Sequence, residues 1–419
     1  MKKNFFTGLL SGIGSSILIF AVVGMLYVMA DGKVNDYNND NTQIESQEEA
    51  EQPALKAEGY KQILDKLVFL EMLVDNYYLE DVDPKVFADG IYKGFIASLD
   101  DPYSTYYTAE EYKSLMESSS GVYHGIGATV SQNTKTGVIT IVKPFKTGPA
   151  YEAGLLPGDI IYMVEGEEVT GVDLTEVVSK MKGKEGTKVR ISVLREGETK
   201  PMEFTITRRK IEVPTIDYKM LEDKIGYIVI SEFDEITVSQ FKEAVDQLER
   251  KGMKGLVIDV RNNPGGLLDS VCKMLDRLLP KGLLVYTEDK YGNRVEEEAK
   301  DSDKLEVPLA VIINGNSASA SEIFAGAVQD YGIGTVVGTT SFGKGIVQKV
   351  IPLTDGTAVK LTISKYFTPK GRNIHGTGIA PDIEVELDDE LLKLVEIPFE
   401  KDTQLQEAIK VVKENIKKK

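Results

Sequence analysis

The sequence predicts a multidomain α/β protein that is tethered to a membrane by its N-terminal end. Three observations support this fold class. Residues 5–30 carry no charged side chain, and a run of this length is enough for a membrane-spanning helix of about 20 residues. Residues 121–210 contain short strand patterns separated by glycine-rich turns. Residues 211–381 alternate apolar strands with helices, which is the pattern of an α/β core.

The N-terminal apolar segment is interpreted as a retained anchor, with a cleaved signal peptide as the alternative. Lys2 and Lys3 precede it and Asp31 follows it, which orients the N-terminus toward the cytoplasm. Val28-Met29-Ala30 resembles a signal-peptidase site, but the apolar run is longer than the ~7–15 residues of a signal peptide. Residues 31–54 are predicted to be a polar linker without a fold of its own. We therefore expect a single-pass membrane protein whose folded part lies outside the cytoplasm.

Residues 55–112 are predicted to form a helical region. Asp83 and Pro84 mark the start of its second helix, because Asp caps helices and Pro suits their first turn. In the first helix, apolar residues recur at steps of four and three, which predicts one buried stripe. The stripe consists of Ile63, Leu67, Leu70, Val74 and Tyr77. A structural or dimer-forming module is the default interpretation.

The composition excludes several classes of protein. The 419 residues include 66 acidic and 49 basic side chains, a net charge of −17, whereas nucleic-acid binding requires a basic patch. The single cysteine, Cys272, excludes an internal disulfide and falls on the apolar face of a helix predicted for residues 267–279, where we expect it in the core. No H-E-x-x-H or paired-histidine spacing occurs, so we expect no metal and no other cofactor.

Three serines lie between a buried strand, residues 309–313, and a helix predicted for residues 321–329. They are Ser317, Ser319 and Ser321. A serine at a helix N-terminus is well placed for nucleophilic attack, because backbone N–H groups and the helix dipole stabilise a developing oxyanion. The alternative is that Ser319 and Glu322 form only a capping box. The residues alone do not choose among the three serines.

The base candidate is Lys344. A conventional serine hydrolase uses a histidine base, and this chain has only His124 and His375. Lys344 follows an apolar strand, residues 334–338, inside a glycine-rich loop. A lysine acts as a base only where burial or a nearby cation lowers its pKa toward neutrality.

The same loop matches the start of a phosphate-binding motif, G-x-x-x-x-G-K. The match then fails, because Gly345 stands where a magnesium-binding Ser or Thr is required. Residues 346–351 also read as a strand where a helix should begin. Nucleotide binding is therefore not expected.

A second glycine turn, N-P-G-G, follows a buried strand at residues 256–260. Gly265 and Gly266 let backbone amides approach a ligand without hindrance from side chains. One such amide would complete an oxyanion hole. The alternative is an ordinary turn between a strand and a helix.

These motifs, in this order, resemble the carboxyl-terminal processing peptidases, which are Ser-Lys endopeptidases that carry a PDZ domain. The run S-A-S-A-S-E is followed by a lysine 25 residues beyond its middle serine and by a glutamine four residues later. The stretches D-D-P-Y-S, D-V-R-N-N-P-G-G and G-I-A-P-D extend the resemblance over nearly the whole chain. It implies that Ser319 is the nucleophile, that Lys344 is the general base and that Gln348 orients the lysine.

The resemblance also assigns an oxyanion hole and a peptide site. The amides of Gly265 and Ala320 would form the hole, with Gly266 as a substitute for Gly265. Residues 113–210 resemble a PDZ domain, whose first glycine loop offers amides to a peptide carboxylate while the peptide adds as a strand to a sheet edge. That loop consists of Gly125, Ile126, Gly127 and Ala128.

The predicted fold is thus a membrane helix, a helical region, a PDZ-like domain and a ClpP/crotonase-like α/β core over residues 211–387. A C-terminal helical segment covers residues 388–419. We expect a membrane-anchored endopeptidase of the bacterial cell envelope that captures polypeptides with free C-termini, with homodimerisation through the helical region. The alternative is a catalytically inactive PDZ scaffold. The presence of Ser319, Lys344 and Gln348 together favours the enzyme.

Overall fold

A computed structural model of the protein describes residues 25–26, 57–300, 304–388, 390–391, 394 and 397–418. The predicted anchor and linker lie outside the described residues, apart from the two-residue strand β1 (Met25–Leu26), which pairs with Gln348 and Lys349. Within the described part of the chain, no helix is both long and apolar enough to cross a membrane. The chain divides into two compact units: one is Val28–Asp100, and the other is Asp101–Lys419 together with Met1–Tyr27.

The smaller unit contains helices α1 (Ala57–Tyr77) and α2 (Pro84–Ala97). Asp83 caps α2 as predicted, since the backbone N–H of Lys85 donates to its Oδ1 at 2.9 Å. The predicted burial of the α1 stripe is wrong for this unit, because Ile63, Leu70 and Tyr77 are exposed. The two helices α1 and α2 alone are too small to bury the apolar faces of both.

The larger unit begins with β2 (Thr105–Tyr107) and α3 (Ala109–Ser120), followed by a β-rich domain. The chain passes into and out of this domain through an antiparallel ribbon of β3 (Val122–Gly125) and β10 (Arg209–Glu212). Its main sheet has the order β4-β5-β6-β8-β9, with β7 paired to β6, so β4 is an edge strand. Its remaining elements are β4 (Ala128–Gln132), β5 (Ile139–Pro144), α4 (Pro149–Glu152), β6 (Ile160–Val164), β7 (Glu167–Glu168), α5 (Leu174–Met181), β8 (Lys188–Leu194) and β9 (Met202–Thr207).

The α/β core is built on a sheet of order β11-β12-β13-β16-β17-β20, parallel except for β11. Its central strands are almost entirely apolar, apart from Asp259 at the end of β13, and are buried on both faces, as sequence runs without alternation predict. Helices α6, α7 and α8 contribute to the main apolar core, and α9 packs on a second apolar cluster with the same strands. The elements are β11 (Ile216–Met220), β12 (Ile225–Ile230), α6 (Thr237–Arg250), β13 (Gly255–Asp259), α7 (Leu268–Asp276), β16 (Leu309–Ile313), α8 (Ala320–Tyr331), β17 (Gly334–Gly338), β20 (Ile383–Glu384) and α9 (Thr403–Lys418).

A second sheet completes the core and has the order β1-β18-β19-β14-β15, with β2 also paired to β19. It consists of β14 (Gly282–Asp289), β15 (Arg294–Ala299), β18 (Ile346–Pro352) and β19 (Ala358–Phe367). Short 3-10 turns occupy Glu222–Lys224 and Phe399–Lys401. The strand predicted after the glycine-rich loop is confirmed as β18, and Cys272 is buried in the core as predicted.

Candidate active site

The three serines that the sequence could not separate have different environments. Ser317 Oγ donates to the carbonyl oxygen of Val260 at 2.8 Å, and Ser321 Oγ donates to that of Asn263 at 2.9 Å. Both hydroxyls therefore hold the neighbouring loop in place. Among the hydrogen bonds of the described residues, the Ser319 hydroxyl has no such carbonyl acceptor, which leaves it as the nucleophile candidate.

Ser319 has a strained backbone. Its φ of 54° and ψ of −114° lie in a region that costs a residue with a Cβ on the order of 1–3 kcal/mol. The backbone N–H of Ser319 donates to Glu322 Oε2 at 2.8 Å, and Tyr366 donates its hydroxyl to the Ser319 carbonyl at 3.1 Å. The predicted capping box is present. It accompanies a strained turn of the kind that exposes serine nucleophiles, so capping and catalysis are compatible.

Gly265 packs directly against Ser319. Its φ is 112°, and a Cβ on it would lie 2.8 Å from Ser319 Cβ and 3.0 Å from the Ala320 nitrogen, so only glycine allows this approach. The Gly265 N–H donates to Asn263 Oδ1 at 2.8 Å. One predicted oxyanion donor is therefore engaged by a side chain in this state. Gly266, the predicted substitute, packs against the backbone of Phe233.

Lys344 is buried, with only 1% of its surface exposed. Its Nζ has no hydrogen-bond partner among the described residues and lies 4.5 Å from the centroid of the Tyr103 ring. Burial lowers the pKa of Lys344 to about 7, and repulsion from Lys360 adds to that effect. Attraction to Asp101 and Glu322 opposes it. The burial that sequence could not demonstrate is thus present, and it places the amine in the range of a general base.

Gln348 lies fully buried on β18. Its Nε2 donates to Thr362 Oγ1 at 3.4 Å, while its Oε1 has no partner among the described residues. The amide is therefore oriented by Thr362, with its acceptor oxygen available for an ammonium group. Thr362 was not found from the sequence, because it lies on the neighbouring strand, β19.

Glu322 does more than cap α8. Its carboxylate accepts hydrogen bonds from the Ser319 N–H, the Ser341 hydroxyl at 2.6 Å, the Gly343 N–H at 2.7 Å and the Lys344 N–H at 2.8 Å. Burial raises the pKa of Glu322, and these hydrogen bonds act in the opposite direction. One side chain thus holds the backbone of the nucleophile beside the loop of the base. The S-x-x-E spacing indicated only the cap.

The predicted peptide loop joins β3 to the edge strand β4. It consists of Gly125, Ile126, Gly127 and Ala128. A groove of about 330 Å³ lies here, lined by apolar side chains that include Ile126, Val130, Val178 and Met181. An unpaired strand edge beside an apolar groove suits an extended peptide. Among the described residues, no cluster of three His, Cys, Asp or Glu side chains could hold a metal ion.

Comparison with known proteins places three descriptions along the chain. Residues 224–385 match peptidase family S41, residues 124–206 match a PDZ domain, and residues 18–111 match the N-terminal domain of the activating protease CtpB. The carboxy-terminal processing protease CtpB of Bacillus subtilis is 40% identical over 330 residues, covering 78% of this chain and 68% of the relative. A carboxy-terminal-processing protease of Bartonella bacilliformis is 40% identical over 333 residues, covering 78% and 76%.

A solved structure supports the same fold. The crystal structure of an S41 protease from Bacteroides fragilis superposes with a TM-score of 0.51 at 19% identity. The superposition covers 80% of this chain and 92% of that one. At this level of identity the likeness concerns the fold alone.

Proposed function

The chain belongs to the carboxy-terminal processing proteases of family S41 and is a serine endopeptidase with a PDZ domain, and we propose that it works through a Ser-Lys mechanism. The observation that carries this proposal is the buried amine of Lys344, which has no hydrogen-bond partner among the described residues, in a site that also holds the strained Ser319. The inactive-scaffold alternative has no support in the site, where Ser319, Lys344 and Gln348 are all present.

The chemistry proceeds in two halves. Neutral Lys344 takes the proton of the Ser319 hydroxyl as Oγ attacks the scissile carbonyl carbon, and the resulting ammonium donates a hydrogen bond to Gln348 Oε1. The oxyanion accepts a hydrogen bond from the N–H of Ala320. It accepts a second one from the N–H of Gly265, after that N–H has released the side chain of Asn263. The ammonium then protonates the leaving amine, and an acyl-enzyme on Ser319 remains. In the second half, Lys344 takes a proton from water as the water oxygen attacks the acyl carbonyl carbon. The ammonium then returns this proton to Ser319 Oγ as the bond to the acyl carbon breaks, and the acyl group leaves as a carboxylic acid.

We further propose that the groove beside β4 receives the C-terminus of the substrate. The N–H groups of the Gly125–Ala128 loop would donate hydrogen bonds to the terminal carboxylate, and the last residues would pair with β4 as an added strand. The apolar lining favours apolar side chains near the C-terminus. This step delivers an unfolded tail toward Ser319, so the protein cleaves upstream of the end that it holds.

Location and assembly complete the proposal. The uncharged run at residues 5–30 would keep the enzyme on a bacterial cell membrane with its catalytic part outside the cytoplasm. Exposed apolar residues of α1 and α2, such as Leu64 and Phe95, would be covered in a homodimer.

The test compares two forms of one peptide. A fluorogenic peptide with an apolar C-terminus is cleaved by the full chain, once with a free carboxylate and once amidated. We expect kcat/KM to fall on amidation, because the loop amides lose the charge that they bind, and Ser319→Ala to abolish both reactions. Equal cleavage of the two peptides would refute C-terminal capture. Cleavage that persists in Ser319→Ala would refute the nucleophile.

A further inference from the structure

Residues 101–107 cover two buried lysines of the site, not one. Lys344 and Lys360 are 1% and 7% exposed. Each ammonium lies over a tyrosine ring from this short segment: Lys344 is 4.5 Å from the centroid of Tyr103, and Lys360 is 5.4 Å from that of Tyr107. The arrangement follows from strand pairing, because β2 lies beside β19 and brings the segment over both amines.

The same segment carries a fixed carboxylate. Asp101 accepts hydrogen bonds from the Ser104 hydroxyl at 2.6 Å and from the Tyr103 N–H at 3.0 Å. Ser104 Oγ accepts the N–H of Thr362 at 3.1 Å. The Thr362 hydroxyl is the group that receives Gln348 Nε2. Asp101 is therefore connected to the Gln348 amide through the Ser104 hydroxyl and through Thr362, which takes part with its backbone N–H and its hydroxyl.

We propose that Asp101 and Lys360 are two further positioning residues, of opposite charge, that set the ionisation of Lys344; the proposal rests on Lys344 being the general base. Charged groups reach Lys344 from three elements: Asp101 from the 101–107 segment, Lys360 from β19 and Glu322 from α8. Tyr103, the ring that covers the amine, stays neutral because burial raises its pKa.

Glu322 is the least adjustable of these groups, since it holds four hydrogen bonds of the catalytic loops. The two remaining groups act in opposite directions. A positive neighbour disfavours the ammonium form of Lys344, and a negative neighbour favours it. The pKa of Lys344 contains both influences, since repulsion from Lys360 lowers it and attraction to Asp101 raises it. Burial lowers the pKa of Lys360 as well, and attraction to Asp101 opposes that effect.

The balance has a chemical purpose. A lysine that is always neutral would be a weak proton acceptor, and one that is always charged would accept no proton at all. General bases work best when their pKa lies near the working pH. The opposite charges of Lys360 on β19 and of Asp101 in residues 101–107 hold the amine between these extremes.

The experiment measures kcat/KM of the full chain from about pH 5.5 to about pH 10 with the free-carboxylate peptide. Lys360→Met should move the midpoint of the rising limb upward, and Asp101→Asn should move it downward, each by about one pH unit. The double variant should return toward the parental midpoint. Lys360→Arg keeps the charge and should keep the midpoint. Lys365→Met, an exposed lysine on the same strand, is the matched control and should not move it.

A role in packing alone predicts something else: lower plateaus with no movement of the midpoint, or movement in the same direction for both variants. Either result overturns the proposal. If Lys360→Met does not fold, Lys360→Gln removes the same charge and keeps a polar end. A parental profile with no rising limb near neutrality would instead refute the Ser-Lys mechanism, so the two failures are distinguishable.

Discussion

Two buried cations in the α/β core have opposite environments. The Arg261 side chain, just beyond β13, is 9% exposed and pairs with Asp259 at 2.6 Å and Asp402 at 2.7 Å. Burial acts against its charge, but the two carboxylates outweigh burial and raise the pKa of Arg261 above its ordinary value. Lys344 is buried still more completely and has an aromatic ring where Arg261 has carboxylates. Burial therefore lowers its pKa.

The two environments suit different roles, a structural one for Arg261 and a chemical one for Lys344. Arg261 joins the end of β13 to Asp402 at the start of α9, and its satisfied charge contributes to holding that helix on the sheet. The unsatisfied amine of Lys344 is costly for the fold, and residues of this kind concentrate at active sites. In the proposed mechanism, the buried cation that lacks carboxylate partners is the one that reacts.

The largest loss of activity is expected from removing the side chain of Ser319 or Lys344. Ser319→Ala and Lys344→Ala should each lower kcat/KM by a factor of about a thousand or more, with melting temperatures close to that of the parent. Ser317→Ala is the matched control: it loses the bond to Val260 and some stability, yet keeps its activity. Cleavage of the free-carboxylate peptide and thermal melts of all three variants check this. Unfolding of Ser319→Ala would favour a purely capping role.

Replacing Arg261 should lower the stability of the fold. Arg261→Met leaves two buried carboxylates without their cation, and breaking such a pair costs about 3–5 kcal/mol of the free energy of unfolding. Arg277→Met, which removes a more exposed pair with Glu249 at 3.0 Å, should cost at most about 1 kcal/mol. Denaturant unfolding of both variants measures the difference. Similar costs would show that the Arg261 network is not special.

Removing the charge of Lys344 should stabilise the fold. The unfolded chain protonates this lysine up to about pH 10, whereas the folded chain releases the proton near pH 7. Parental stability therefore rises with pH between these values, by at most about 1.4 kcal/mol per pH unit. The free energy of unfolding of Lys344→Met should exceed that of the parent most at or below pH 7, and this gain should disappear at about pH 10. The exposed Lys349→Met serves as control, and a gain independent of pH would contradict the assignment.

A buried acid gives a smaller effect of the opposite sign. Asp234 is 2% exposed, its Oδ1 has no partner among the described residues, and burial raises its pKa. The folded chain favours the neutral form, so stability falls as the pH rises from about 4, the unfolded value, through the raised pKa. Asp234→Asn should raise the melting temperature by about 2–4 °C near pH 8 and leave it unchanged near pH 4. Asp246→Asn, whose carboxylate is paired with Lys242, should show no such gain.

Much of the catalytic core follows from local patterns. Apolar strands predicted at residues 309–313 and 334–338 are β16 and β17, the strand predicted at residues 346–351 is β18, and the glycine-rich loop identified Lys344. The positions of Asp101 and Lys360 could not be found in this way, because strand pairing joins segments about 250 residues apart in the chain. The register that places Thr105 opposite Lys360 is a tertiary property, and no local spacing encodes it.

Two expectations show other limits of the sequence. The family resemblance assigned an oxyanion-hole amide to Gly265, but Asn263, two residues earlier, binds that amide with its side chain. Side-chain rotamers of this kind are set by packing and have no sequence signal. The stripe of α1 predicted burial, yet periodicity shows only which side of a helix is apolar and not what covers it.

The most direct test of the account is the titration of Lys344 itself. Lysines labelled with ¹³C at Cε are followed by NMR as the pH is raised, and the Lys344 signal is identified by its absence in Lys344→Met. We expect this signal to titrate near pH 7, whereas exposed lysines titrate at about pH 10.4. Titration of Lys344 together with the exposed lysines would show that the amine is an ordinary cation, and would contradict its role as the base.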